Sequence, residues 1–206
     1  MRLRIEEERL RDVALHLDGA ATLLPGHVEP SADVAPDARA GTPDLTLVIH
    51  DALEACAALW RDFEQTADHT VFQSFGWLSA WMRHVGTRTG TVPAIVVGRD
   101  GSGKPLFLMP FAVERGPVVR RLTWLGSCLC DYNAPLLAPG FAAIMCEKRF
   151  AALWKRIRAA LMADRRFRHD TIILEKMPET VGGQRNPFTW LPVAPNPSGA
   201  HVASLF

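Results

Sequence analysis

From residue 45 onward the apolar positions change period several times, and each change predicts an element. The run LTLVI over residues 45–49 is short, continuous and apolar, as a buried strand requires. Asp51 with Glu54 three residues later has the form of a capping box, and it predicts a helix with Leu53, Cys56, Trp60 and Phe63 on one face, ending near Glu64. Ser74 can cap a second helix whose apolar residues are Trp77, Leu78, Trp81, Met82 and Val85, with Gly86 as its stop. Trp77 and Trp81, one turn apart, are expected to share its core face. Three strand-like segments follow, over residues 93–97, 105–113 and 118–125. The first two are joined by RDGSGK at residues 99–104, whose Asp-Gly step is a strong hairpin signal, and Gly116-Pro117 makes the second turn. The three form an antiparallel meander.

A loop over residues 126–140 then leads to a long helix, residues 141–163, with Phe150, Leu153, Trp154, Ile157 and Leu161 as its buried stripe. Residues 171–174 read as a short buried strand. Asn186-Pro187 opens a helical turn, Asn as cap and Pro at the first helical position, and residues 202–206 read as a last strand. Upstream the pattern differs. Residues 25–43 are mostly Pro, Gly, Ala and Asp, with Val28 and Val34 as the larger apolar residues, which is linker composition. Leu10, Val13, Ala14 and Leu17 fall at helical spacing within residues 5–17. The chain therefore divides into an extension and flexible linker, residues 1–44, and one domain, residues 45–206. The order of elements predicts an α/β (α+β) fold with one central, mostly antiparallel sheet flanked by helices.

Composition narrows the function. A formal charge of +1 gives no global field toward nucleic acid or an anionic membrane. No apolar run approaches the roughly 18 residues of a membrane span, and the N-terminus carries charges where a signal peptide has its apolar stretch. A cytoplasmic protein with neither a nucleic-acid nor a membrane partner is expected. Cys56, Cys128, Cys130 and Cys146 match no zinc-ligand spacing, and the seven histidines are scattered, so no metal is expected. The local basic stretch, Lys148, Arg149, Lys155, Arg156, Arg158, Arg165, Arg166 and Arg168, reads first as a solvated face and second as a docking surface for an anionic ligand or another domain. Nucleophile-elbow and phosphate-loop motifs are absent.

The loop SCLCDYNAP, residues 127–135, gathers the remaining chemistry. It holds the only tyrosine, Tyr132, between a carboxylate and an amide, at the end of a strand. Asp131 can act as a general base or orient a substrate amine, Tyr132 can donate or stack, and Asn133 can bond a carbonyl. Equally, Asp131 and Asn133 can shape the loop through Asx-type turns. Gln73, at the start of the second helix, suits either a cap or a substrate contact.

Taken together, TVFQSFGWLSAW (70–81), RLTWLGS (121–127), DYNAPL (131–136), LEKMP (174–178) and NPF (186–188) resemble the first half of the CelD-like, cellulose-biosynthesis-associated acetyltransferases, which are related to the FemAB-like peptidyltransferases. The element order is similar to the GNAT acyltransferase fold. That resemblance implies acyl transfer from acetyl-CoA or a related donor to an amine of a small molecule, glycan or peptide, in bacterial envelope or polysaccharide biosynthesis. It places Asp131 as catalytic and Gln73, Tyr132 and Asn133 as substrate-binding. It also implies a second GNAT domain or a homo-oligomer. Such a fold binds its donor's pyrophosphate on an R/Q-x-x-G-x-G/A loop before the long helix. Residues 139–143 read PGFAA there, so the expected role is the acceptor-side half, without autonomous activity. A non-catalytic GNAT-like binding or scaffold module is the alternative.

Overall fold

The computed structural model describes residues 3–5 and 45–192. In chain order its strands are β1 (Leu3–Ile5), β2 (Thr46–His50), β3 (Val92–Arg99), β4 (Pro105–Arg115), β5 (Arg120–Trp124), β6 (Leu136–Leu137), β7 (Thr171–Leu174), β8 (Thr180–Val181) and β9 (Gln184–Arg185). Its helices are α1 (Ala57–Glu64), α2 (Phe75–Trp81), α3 (Thr87–Thr89), α4 (Phe141–Ile144) and α5 (Glu147–Ala163). Seven strands make one sheet in the order β1-β7-β5-β4-β3-β2, with β6 also on β4, while β8 and β9 form a separate hairpin. All pairings in the sheet are antiparallel except β5 with β7. The fold is thus the mixed α+β type that the apolar pattern predicts.

Two cores sandwich the sheet. On one face Val96, Phe111, Leu122, Trp124, Ile172 and Leu174 pack against Phe150, Trp154, Ile157 and Leu161 of α5. Phe188 sits at the centre of that core, its ring 5.1 Å from Phe150 and 5.3 Å from both Trp124 and Trp154. Its place comes from the predicted Asn186 cap, whose side chain accepts from the Phe188 amide at the start of a 3₁₀ turn. On the other face Ile95, Val97, Leu108 and Ala112 pack against Trp60 and Phe63 of α1 and Leu78 and Trp81 of α2. Strands β3 and β4 are buried on both sides and hence read as nearly continuous apolar runs. At Gly98, where the β3–β4 register shifts, an added Cβ would collide with the Phe107 ring.

Several local expectations change. Asp51 and Glu54 do not form a capping box. Asp51 pairs with Arg166, and a 3₁₀ turn, Glu54–Cys56, precedes α1. Ser74 does cap α2, accepting from the Trp77 amide, but the chain passes through a π-helical turn, Met82–Gly86, and stops at Gly90, whose φ of +67° suits glycine. Trp77 lies about 100° round the helix from Leu78 and is half-exposed at the edge of the stripe. The long helix is broken at Met145 and Cys146, both extended. Phe141 and Phe150 are nine residues apart, about 180° on a continuous helix, so only a break lets one core bury both. Ile5, expected in a helix, lies in β1. The rest of that expected helix, the linker and the strand over residues 202–206 fall outside the described residues.

Gly98→Ala is expected to destabilise the domain by about 1–3 kcal/mol through overpacking against Phe107. A lowered denaturation midpoint at unchanged m-value is the signature; an unchanged midpoint would show that the ring yields freely.

Candidate functional site

The meander and the α5 crossover bring β5 and β7 side by side and parallel, with Arg121 opposite Thr171 and Leu122 opposite Ile172. Both strands end at the same edge, and the chain leaving each becomes a loop there: residues 125–135 after β5, residues 175–179 after β7. Ligands of open α/β sheets bind beyond such carboxyl ends.

The two loops are laced together. The Asn133 backbone N–H donates to the Lys176 carbonyl at 2.9 Å, and its side-chain Nδ2 to the Glu175 carbonyl at 3.1 Å. In return, Lys176 Nζ donates to the carbonyls of Cys130, at 2.9 Å, and Ser127, at 3.3 Å. Lys176 has a φ of +56°, the left-handed region that a side chain disfavours and that persists only where surrounding contacts hold it. Here four hydrogen bonds do so. From the other side Gln73 anchors the same loop. Its Nε2 donates to the Tyr132 carbonyl at 2.8 Å, and its Oε1 accepts from the Thr70 hydroxyl and amide at 2.7 and 3.3 Å.

These bonds place the four sequence-derived candidates. Gln73 and Asn133 are buried, and their bonds go to protein, chiefly backbone, so they shape the loop from within. Tyr132 is half-exposed, its ring 6.3 Å from that of Phe72, which also meets Trp77 edge-on at 5.6 Å. Asp131 is exposed at the loop's rim, with no hydrogen bond to its carboxylate among the described residues.

Beside this loop, on the sheet face that α1 and α2 do not reach, lies a cleft of about 260 Å³. Glu114, Arg121, Thr123, Ser127, Cys128, Ile173, Glu175 and Lys176 line it. None of the four candidates does. Strand alternation explains the lining. Leu122, Trp124, Ile172 and Leu174 face α5, so Arg121, Thr123, Ile173 and Glu175 must face the other way. The sequence carried that signal as polar residues alternating with the apolar ones in RLTW, but it lacked the information that, among the described residues, no helix covers them. A second concavity, of about 320 Å³, lies between residues 51–54 and the π-helical turn. One of its carboxylates, Asp51, is already paired with Arg166.

The thiols split by environment. Burial pushes Cys130 up, with a hydrogen bond from Trp77 opposing, and burial followed by the charge of Glu54 pushes Cys56 up to about 11. Cys128 and Cys146 are exposed. The basic stretch is largely tied to the protein: Arg149 donates to Ile144, Arg156 to Leu45 and Arg168 to Met162 carbonyls, and Arg166 pairs with Asp51 and Asp164. Among the described residues no three His, Cys, Asp or Glu side chains converge as metal ligands do, and no helix is long and apolar enough to cross a membrane. Compared with protein-family models, curated proteins and solved structures, the chain matches none.

Gln73→Leu leaves the Tyr132 carbonyl and Thr70 amide without their partner and is expected to cost about 1–3 kcal/mol, whereas Asp131→Ala should change stability by less than about 0.5 kcal/mol. Equal losses in chemical denaturation would contradict the division between anchor and rim. A thiol-exchange reagent at pH 8 should titrate Cys128 and Cys146 in the native protein and reach Cys56 and Cys130 only on unfolding. Because Cys56 holds its proton more tightly when folded, its contribution to stability is complete below the thiol's ordinary value near 9 and is lost as pH rises to about 11.

Proposed function

We propose that this chain is a GNAT-type N-acyltransferase domain that holds the amine acceptor, with the acetyl or related acyl thioester held by a second GNAT-like domain or another copy. One observation carries the reading: a meander followed by a crossover helix and a parallel strand, with an open polar cleft at the carboxyl end of the parallel pair. The sequence motifs that resemble the CelD-like acetyltransferases fall on these elements, with residues 121–127 on β5 and the start of the loop, 131–136 through it to β6, and 174–178 after β7.

The reaction requires little covalent help from the protein. A neutral amine nitrogen attacks the thioester carbonyl carbon and forms the C–N bond. The C–S bond breaks, the thiolate departs with the electron pair, and the amine's proton passes to a base. Orienting the amine and accepting that proton are the tasks on this side. Asp131 and Tyr132 sit on the loop beside the cleft and outside its lining; Asp131, exposed at the rim with no hydrogen bond among the described residues, suits the proton of an amine that reaches from the cleft to the loop, and Tyr132 beside it suits a donor to the acceptor.

The donor side fits poorly. The amides that a pyrophosphate would need before the long helix are already taken: Phe141 N donates to Ala138 O at 3.1 Å, Ala142 N to Gln184 Oε1 at 2.8 Å and Ala143 N to Gly140 O at 3.0 Å. Breaking the helix moves its true start to Glu147, where there is no glycine and the first turn carries a carboxylate. These occupied amides favour the acceptor role, and they equally favour a second reading, a non-catalytic GNAT-like binding or scaffold module.

Calorimetric titration of the purified chain with acetyl-CoA should give no saturable heat at micromolar ligand; micromolar affinity would overturn the acceptor-side assignment. In the assembly isolated from its own cells, acetyl-CoA should release free thiol only when a primary amine is added. No amine-dependent release across an amine panel would leave the scaffold reading.

A further inference from the structure

The two edges of the sheet are built differently. At one, β1 has three residues, with Arg4 at its centre; at the other, β2 has five, Thr46–His50, with no lysine, arginine, carboxylate or proline and no bulge against β3. Edge strands that stay open to water ordinarily carry such a device, because their row of free N–H and C=O groups pairs with any strand offered. Among the described residues nothing pairs with β2 on its outer side.

The same edge is apolar on both faces. Leu47 and Ile49 point toward α5 and are half-buried against the rim of that core, while Val48 points the other way and is 36% exposed. One more strand on this edge would cover all three, provided that it is apolar on both faces in the same alternation. Strand β2 itself has that pattern. Two copies related by a two-fold axis at Val48 pair antiparallel, with Leu47 of each opposite Ile49 of the other, Val48 opposite Val48 and Thr46 opposite His50. Asp51 then falls opposite Leu45, so no like charges face each other across the ladder. Pairing β2 of one copy with β1 of the next is head-to-tail instead, and it sets five uncharged residues against three that include an arginine. We infer that the β2 edge joins a second copy of this chain through an antiparallel β2–β2 ladder, making one sheet continuous across a two-fold dimer. The inference goes beyond the acyltransferase reading and does not depend on it.

Sedimentation equilibrium of the full chain from about 1 to about 200 µM tests the ladder: monomer at the low end, dimer at the high end and no larger species are expected. Val48→Lys and Val48→Glu, at a side chain exposed enough to take either, should each raise the dissociation constant about fivefold or more, because the axis sets the two substituted side chains opposite each other. An equal mixture of the two variants should restore the dimer, an outcome that only a register centred on this residue produces. Circular dichroism and the denaturation midpoint, measured where the chain is monomeric, show that both variants remain folded. The inference fails if the chain stays monomeric at the highest concentration, if larger assemblies form, if the folded variants dimerise as the parent does, or if their mixture stays monomeric. None of these results bears on acyl transfer, which the acetyl-CoA and amine experiments test separately.

Discussion

Strands β3 and β4 lie under helices on both faces, and that two-sided burial is the constraint from which the remaining geometry follows. Ile95, Val97, Leu108 and Ala112 look toward α1 and α2, while Val96 and Phe111 look toward α5. A close-packed pair of this kind fixes the register of its neighbours, because slipping any strand by one residue would exchange the two cores. Strand β5 is set by its pairing to β4, and β7 by its pairing to β5 and by Ile172 and Leu174 under α5.

Coverage is unequal, and the inequality makes the cleft. The helix α5 extends under β5 and β7, but on the opposite face α1 and α2 cover β3 and β4. Of the residues of β5 and β7 that face away from α5, Arg121 is exposed, Ile173 is half-buried and Thr123 is buried, and a cleft opens where the two parallel strands end. The loops at that end are not slack. Gln73 on one side and Asn133 with Lys176 on the other convert an irregular stretch of backbone into a fixed wall, satisfying carbonyls that would otherwise be buried without partners. The left-handed backbone at Lys176 directs both its carbonyl and its ammonium group into that wall.

The same logic explains why the start of the long helix is a poor anion site. Burying both Phe141 and Phe150 requires the helix to break, and Gln184 from the β8–β9 hairpin then ties down the short piece α4. Its side chain accepts from Ala142 and donates to Ala138 O and to Asp68 at 2.8 and 2.7 Å. Packing and anion binding compete for the same amides, and packing holds them.

Periodicity alone determined the identity and order of the elements that bury large apolar residues: β2, the helices α1, α2 and α5, the meander, β7, and the Asn186 cap over Phe188. In each the local pattern and the tertiary demand coincide, since burying a stripe is what gives the stripe its period. It also directed attention to the right loop, through a lone tyrosine beside a carboxylate. Sequence could not decide whether Gln73 and Asn133 face a ligand or the backbone, since an amide serves either and its partners, at positions 132 and 175, are 59 and 42 residues away. It missed the two-residue strands β6, β8 and β9, which are too short to show a period, and the break at Met145, which depends on where two phenylalanines must go. Most of all, it did not reveal the cleft: Arg121, Thr123 and Glu175 line one only because, among the described residues, no helix covers their face of the sheet, and coverage is a property of how elements are placed in space, which no local pattern encodes.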